Sequence, residues 1–545
     1  AAVVTGNPQV NLIGATVTND IFGGGDAAPV VGNPLVNANY GTVKDIFAGG
    51  RGETAVVTGN PLATINQTAD NVTEAVYGGG DAANVVGTAG VQMLAGKVKD
   101  IYGGGNAADV TNTDVIIEGG ISERVFGGGH GNKGNDDPEN PAAAAAANVT
   151  DNANVLVKGG TINQVFAAGN SLGSVDGVAR LTINKDNSAD DLHIIEAYGG
   201  GNEADGNAGI VSVLCTGGAG ESVGDVYGGA RNAIVTGDIT LNLQGGTITR
   251  AFGGNNVDGN VTGKITVNVN HEGDGCDLDL GSVYGGGNMA PYAPTEPGAY
   301  PEVNIINGTV NHDVFGGGLG KTAIVTSNPV VTVTGGKVID DVYGGGALAD
   351  VRGNTTVNLF GGSVGGAYGG GLGQLASEAV GNVDDPGYIP AKEAIAAIVT
   401  GNTNVTLGKK NDDNTYSSSQ VTTTGIFGAN NLNGTPKGHV KVHVLSTTDA
   451  GNGAAYHVPA VYGGGNLSAY QPSDDNDFAE VLIENCDNSI DYVYGGGNAA
   501  AVPGTDVTIY GGDINMAFGG GNGLQDAAGN SYGANALASG TIAGG

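Results

Sequence analysis

The chain has 545 residues, 104 of them glycine, and sets 54 Asp and Glu against 20 Lys and Arg for a formal charge of −34. That excess repels a phosphate backbone and an anionic membrane surface alike, so no nucleic acid partner is expected. No run of about 18 apolar residues offers a membrane span, the glycines do not fall at every third residue as collagen requires, and Val, Ile and Leu alternate with Thr, Asn and Asp too regularly for disorder.

The opening Ala1-Ala2-Val3-Val4-Thr5-Gly6 has no initiating Met, no basic start and no apolar signal core, as expected of a processed chain or a segment. From there one cassette punctuates the sequence: an aliphatic residue, an aromatic, then two or three glycines, as in Asp341-Val342-Tyr343-Gly344-Gly345-Gly346. Its aromatic recurs at Phe22, Phe47, Tyr77, Tyr102, Phe126, Phe166, Tyr198, Tyr227, Phe252, Tyr284, Phe315, Tyr343, Tyr368, Phe427, Tyr462, Tyr494 and Phe518. Nine of the sixteen spacings fall between 24 and 30 residues, and the longer ones read as the same unit with insertions. A fixed period of this size means stacked repeats.

Residues 341–371 show one unit clearly. After Tyr343 and its glycines come Asp350-Val351, then Thr355-Thr356-Val357-Asn358-Leu359, then Val364 to Tyr368, separated by Gly and Asn corners. Short β-branched runs with period-2 alternation and αL-tolerant corners predict strands. The expected fold is all-β: a single parallel β-solenoid domain over 1–545, three short strands per coil and about seventeen coils, right-handed by fold-level precedent. Stacking puts like residues over like. The Asn after the glycines (Asn106, Asn170, Asn202, Asn288, Asn466, Asn498, Asn522) fits an amide ladder or a turn residue with φ > 0, and both readings stay open. Because eight of the seventeen anchors are Phe, an interior stack of rings is expected; an exposed aromatic stripe, a glycan platform, is the alternative.

Insertions at about 130–148, 289–301, 373–398 and 467–478 all follow the glycines and so belong on one edge, where a contact surface is usually built. Tyr292, Tyr300 and Tyr470 are its candidate contact residues, and Pro390-Ala391-Lys392-Glu393 begins an expected helical turn. A second corner, before the cassette, carries smaller loops at 271–277 and 409–419. Cys215, Cys276 and Cys486 sit in different coils, the nearest two roughly 10 Å apart at about 4.8 Å per coil, so they are expected to be unbonded.

No catalytic constellation stands out: none of the six Arg is identifiable one coil from another beside aligned acids, and the Asp pairs at 136–137, 190–191, 340–341, 384–385, 412–413 and 474–475 fall in loops or corners. The chain is not expected to be an enzyme, with a polysaccharide lyase or glycoside hydrolase on a β-helix scaffold as the alternative. No cofactor is implied. Calcium is the metal considered, with Asp474, Asp475 and Asp477, or Asp274, Asp277 and Asp279, as its weak candidates. His439, Lys441 and His443 share a strand face with no Cys, Asp or Glu at ligand spacing. Val3-Val4-Thr5-Gly6-Asn7-Pro8 repeats Val56-Val57-Thr58-Gly59-Asn60-Pro61, so the chain starts mid-coil, and 539–545 begin another coil. A cut from a longer chain, or end-to-end stacking into filaments, is the expectation.

The recurrent [Val/Ile]-[Tyr/Phe]-Gly-Gly-Gly-[Asn/Asp], followed by Gly-Gly-x-[Val/Ile], resembles the large Gly-rich β-strand-repeat surface proteins of anaerobic gut bacteria and, more distantly, filamentous adhesins and autotransporter passengers. The resemblance spans essentially the whole chain. It implies an extracellular, cell-attached fibre or adhesin stalk on a right-handed β-helix, with few assigned ligands in the family and no shared catalytic motif to carry over; contact with glycans or cell-surface proteins is expected from the loop edge and the aromatic faces of Tyr292, Tyr300 and Tyr470.

Overall fold

The computed structural model describes residues 2–68, 71–134, 143–186, 189–273, 275–381, 383, 387–417, 420–447 and 456–523. These residues form strands, bridges and turns with no helix, hence none long and apolar enough to cross a membrane. The chain winds into a parallel β-solenoid of about seventeen turns and divides into two compact units, Ala1–Ile265 with His271–Asp279, and Thr266–Asn270 with Leu280–Gly545.

Each turn has three sides. In the second unit, Val351 bridges Val325 and Val399 on the first side. Thr355–Leu359 pairs in register with Val330–Val333 and Thr403–Leu407 on the second. Gly366–Tyr368 pairs with Val342–Tyr343 and Gly425–Phe427 on the third. The first unit repeats the pattern, with Ile121–Phe126 between Lys97–Tyr102 and Gly160–Phe166. Alternation fills the lumen: Thr355, Val357 and Leu359 are buried, while Thr356 and Asn358 between them face outward. Because each strand hydrogen-bonds the equivalent strand of the next turn, the ladder satisfies backbone groups that short isolated strands would leave open.

The aromatics form one continuous stack in each unit. Nine rings from Phe22 to Phe252 lie 4.5–5.0 Å apart at interplanar angles of 2–11°. Eight rings from Tyr284 to Phe518 lie 4.6–5.1 Å apart at 4–12°. Each ring shares a strand face with the residue two before it: Tyr198 Oη donates to Glu196 at 2.9 Å and Tyr343 Oη to Asp341 at 3.0 Å. The aliphatic residue between them, such as Val342, points to the lumen. From Phe47 to Tyr494 the rings are buried, as in an interior stack, while Phe518 is 41% exposed, and the stack runs along the outer face of the third side. The segment after the glycines two turns further on closes over it, as where Asn170, Asn256 and Asn431 donate to the hydroxyls of Tyr102, Tyr198 and Tyr343 at 3.1, 2.7 and 2.7 Å.

The glycines following each ring exist because backbone stacks on backbone there. A Cβ on Gly345 would lie 2.7 Å from Gly371 N, and one on Gly344 2.6 Å from Gly369 O. The Asn that follows makes the amide ladder: Asn202 Nδ2 donates to Asn170 Oδ1, and Asn498 to Asn466, both at 2.9 Å, and Asn522 to Asn498 at 2.8 Å. The φ > 0 reading does not hold for them, since the only non-glycine residues with positive φ among those described are Asn414 and Asn485.

The cysteine expectation is overturned: Cys215 and Cys276 form a disulfide, with Cα atoms 5.7 Å apart, and Cys486 is free. Axial spacing misled because Cys276 does not stay at the level of its own turn. The described residues of the second-corner loop, 271–273 and 275–277, lie over the intervening turn, with His271 Nδ1 2.9 Å from Gln244 O and Asp277 O accepting from Gly246 N at 2.9 Å. Gly245 lets it cross, since a Cβ there would sit 2.6 Å from Cys276 O. The other second-corner loop is a small antiparallel hairpin, Lys409–Lys410 with Tyr416–Ser417.

Two outcomes are expected. Replacing Cys215 and Cys276 together by Ala removes the constraint on a loop of 61 residues and lowers stability by about 4 kcal/mol, read as a fall in thermal midpoint that reducing agent no longer changes. Gly345→Ala also lowers the midpoint, because the atoms its Cβ meets are backbone and have little room to yield.

Candidate functional site

The loop edge of the second unit gathers its three insertions. Two of the three tyrosines expected to make contacts there are instead core residues: Tyr292 is 1% and Tyr470 2% exposed, and Tyr300 is half-buried. Tyr292 bridges Val325, and Tyr470 clusters with Ala429, Val440, Ala479 and Val502 while its hydroxyl donates to Gly438 O at 2.9 Å. Both take the first-side lumen place that Val holds in other turns. The signal was in the spacing, since Tyr292 and Tyr470 are each the eighth residue after their anchors, as Val351 is after Tyr343.

The described residues of segment 373–398 are not helical. Antiparallel bridges Gln374 to Ile395, Ser377 to Lys392 and Val380 to Ile389 make it a projecting two-stranded arm. Pro390 starts no helix because its neighbours are held in the cross-arm ladder, Ile389 and Val380 exchanging N–H and C=O at 2.9 and 3.0 Å. The arm exposes Leu375, Val380, Val383 and Ile389 at 49, 61, 74 and 52%. At its base an open groove of about 450 Å³ is lined by Leu375, Ile398, Leu432, Lys437 and, from loop 467–478, Leu467 and Gln471. Of the first-unit insertion 130–148, the structure describes all but 135–142, so Asp136 and Asp137 lie outside the described residues, as do Asp274, Asp384 and Asp385.

Loop 467–478 is fastened to the coil beneath by polar contacts that cross between turns. His439 Nδ1 lies 2.7 Å from Asp477 Oδ1 and its Nε2 3.0 Å from Glu480 Oε2, while Lys441 Nζ donates to Glu480 Oε1 at 2.8 Å. The Phe478 ring stands edge-on to the imidazole, centroids 5.3 Å apart. Acids thus do join His439 and Lys441, contrary to expectation; they were missed because they come from the next turn, about forty residues away, and no local spacing shows them. Burial alone would lower the His439 pKa, but the hydrogen bonds to Asp477 and Glu480 outweigh it and raise it above the usual histidine range. Glu480 is held below the usual range, the bonds from Lys441 and His439 overcoming its burial.

Of the carboxylates considered for calcium, Asp474, Asp475 and Asp477 do not converge. Asp474 Oδ1 accepts from Asn476 N and Nδ2 at 2.9 and 3.0 Å, and Asp477 is turned to His439. Among the described residues no three His, Cys, Asp or Glu side chains are grouped to hold a metal ion. In the first unit Asp190 Oδ2 accepts from Gly120 N at 2.9 Å, beside an open groove of about 730 Å³ floored by Gly96, Gly120 and Gly160. Arg124 and Arg250 do have aligned acids, each reaching one turn back to a bidentate grip on Asp100 and Asp225 at 2.5–2.8 Å.

One acid held above its ordinary value, Asp313, sits beside the second-unit ring stack. Asp313 Oδ1 accepts from Asp341 N at 3.1 Å, which stacks the two carboxylates in consecutive turns. Burial first, and then the charges of Asp341 and Asp340, push the Asp313 pKa up to about 6 against that hydrogen bond and the charge of His312.

No protein-family model, curated protein or solved structure matches the chain.

A raised carboxylate favours folding while protonated, a contribution complete below the ordinary aspartate value and lost as pH rises through about 6. Asp313→Asn keeps the acceptor for Asp341 N and removes the charge. It is expected to raise the thermal midpoint at about pH 7.5 and to leave it nearly unchanged at about pH 4.

Proposed function

We propose that the protein is an extracellular structural fibre or adhesin stalk whose loop edge makes contacts with glycans or cell-surface proteins. The observation that carries this reading is the arm 373–398, a two-stranded projection with an apolar row turned to solvent and an apolar groove at its base. Exposed apolar rows on a polar surface mark interaction sites. Support for an oxidising, extracellular setting comes from the Cys215–Cys276 disulfide, and the cassette's resemblance to Gly-rich bacterial surface proteins points the same way. Ring stacking and parallel ladders give each unit a stiff frame on which loops vary freely. End-to-end self-association belongs to the same reading, because turns of this solenoid pair in register with equivalent turns, as Thr355–Leu359 does with Val330–Val333 and Thr403–Leu407, and a second copy carries turns of the same pattern.

The test is binding of the purified chain to a glycan array and to immobilised surface proteins, with Val380→Asp and Ile389→Asp as variants. Retained binding after both substitutions would remove the arm from the account. Release of new reducing ends or unsaturated products from polysaccharides would replace the stalk with the enzyme alternative. Electron micrographs at high protein concentration report on self-association: filaments are expected, and monomers alone would end that part of the reading.

A further inference from the structure

Both ring nitrogens of His439 face carboxylate oxygens, Asp477 Oδ1 at 2.7 Å and Glu480 Oε2 at 3.0 Å. A neutral imidazole has one N–H and one lone pair, so only the imidazolium donates to both at once. Asp477 closes loop 467–478, and Glu480 belongs to the strand Ala479–Ile483 that follows it. The loop's far half, 473–476, is exposed. It is anchored to the coil beneath where Ser473 N donates to Lys437 O at 2.8 Å and, at its end, where Asp477 meets His439. The near half contributes Leu467 and Gln471 to the groove at the base of the arm.

We propose that His439 is a proton-operated latch on loop 467–478, closed while the imidazolium bridges Asp477 and Glu480 and released when the ring loses its proton, so that the groove changes shape with pH. The surrounding charges favour this behaviour. The loop presents Asp474, Asp475 and Asp477, and the next turn places Asp506 in register with Glu480. On the histidine's own strand, Lys441 bonds Glu480, and His443 Nε2 lies 3.2 Å from Glu484 Oε2. Tyr470 packs beneath with its hydroxyl on Gly438 O. Loss of the imidazolium leaves Asp477 facing Glu480 across a neutral ring, with Lys441 already committed to Glu480. The direction follows from the shifts. A histidine with a raised folded pKa adds stability that is complete below its ordinary value of about 6.5 and disappears as pH rises through the raised one. Glu480, held low, stays ionised on the acid side. The latch is therefore closed in mild acid and open in mild base.

This device regulates the loop edge and rests on that reading for its setting, but its test involves no ligand, so the two fail separately. Hydrogen exchange of the peptide covering 467–478 is followed in the full chain at about pH 6 and about pH 8.5, corrected for intrinsic exchange. The expected result is protection in acid that is lost in base, with strands such as Thr403–Leu407 unchanged. His439→Gln, neutral throughout, should show low protection at both values. Asp477→Asn, which weakens one partner and keeps the acceptor, should move the loss to lower pH. Equal protection of the unaltered chain at both values overturns the proposal, and so does a pH dependence that persists in His439→Gln.

Discussion

Like residues lying on like residues, one turn above another in parallel register, is the constraint on which everything else in this protein depends. A strand such as Thr355–Leu359 has too few residues to be stable alone, and it persists because both its edges are paired. The same register aligns the rings, and each offset-stacked pair is worth on the order of 1 kcal/mol beyond its buried area. It also explains the glycines: where Gly344 and Gly345 pass over Gly369 to Gly371, backbone approaches backbone too closely for any side chain.

Register acts on charge as well as on shape. Where a column sets Arg over Asp, as at Arg124 over Asp100 and Arg250 over Asp225, the pair becomes a short bidentate contact, with the guanidinium 5.7 and 5.5 Å from the rings of Phe126 and Phe252. Where it sets Asp over Asp, as at Asp313 and Asp341, burial first of all raises the pKa of both, and neighbouring acid charges add to it, Asp341 and Asp340 at Asp313 and Asp340 at Asp341. The His439 cluster is a third case, in which one ring is enclosed between acids contributed by the following turn.

Loops escape this constraint, and chemistry specific to the chain gathers in them. The arm 373–398 pairs with itself. Cys276, in the second-corner loop, is tied by a disulfide to Cys215, two cassettes earlier. Loop 467–478 begins with Tyr470 in the lumen and ends with Asp477 on the outer surface, so one segment couples the core to the groove.

Much of the fold was legible in the residues alone. Period-2 runs between Gly and Asn corners, recurring with one aromatic each, determined the strands, their parallel stacking and the number of turns, because each is a local pattern repeated. The amide ladder was half legible, since the same Asn pattern also suits a turn until backbone angles are known. The site was largely illegible. That Tyr292 and Tyr470 turn inward, that Cys276 reaches back to Cys215, that 373–398 pairs as strands, and that Asp477 and Glu480 grip His439 were decided only by tertiary structure. The physical reason is that the repeat specifies what lies directly above each residue, whereas an insertion leaves the register, and where it lands depends on contacts between residues that no sequence spacing brings together.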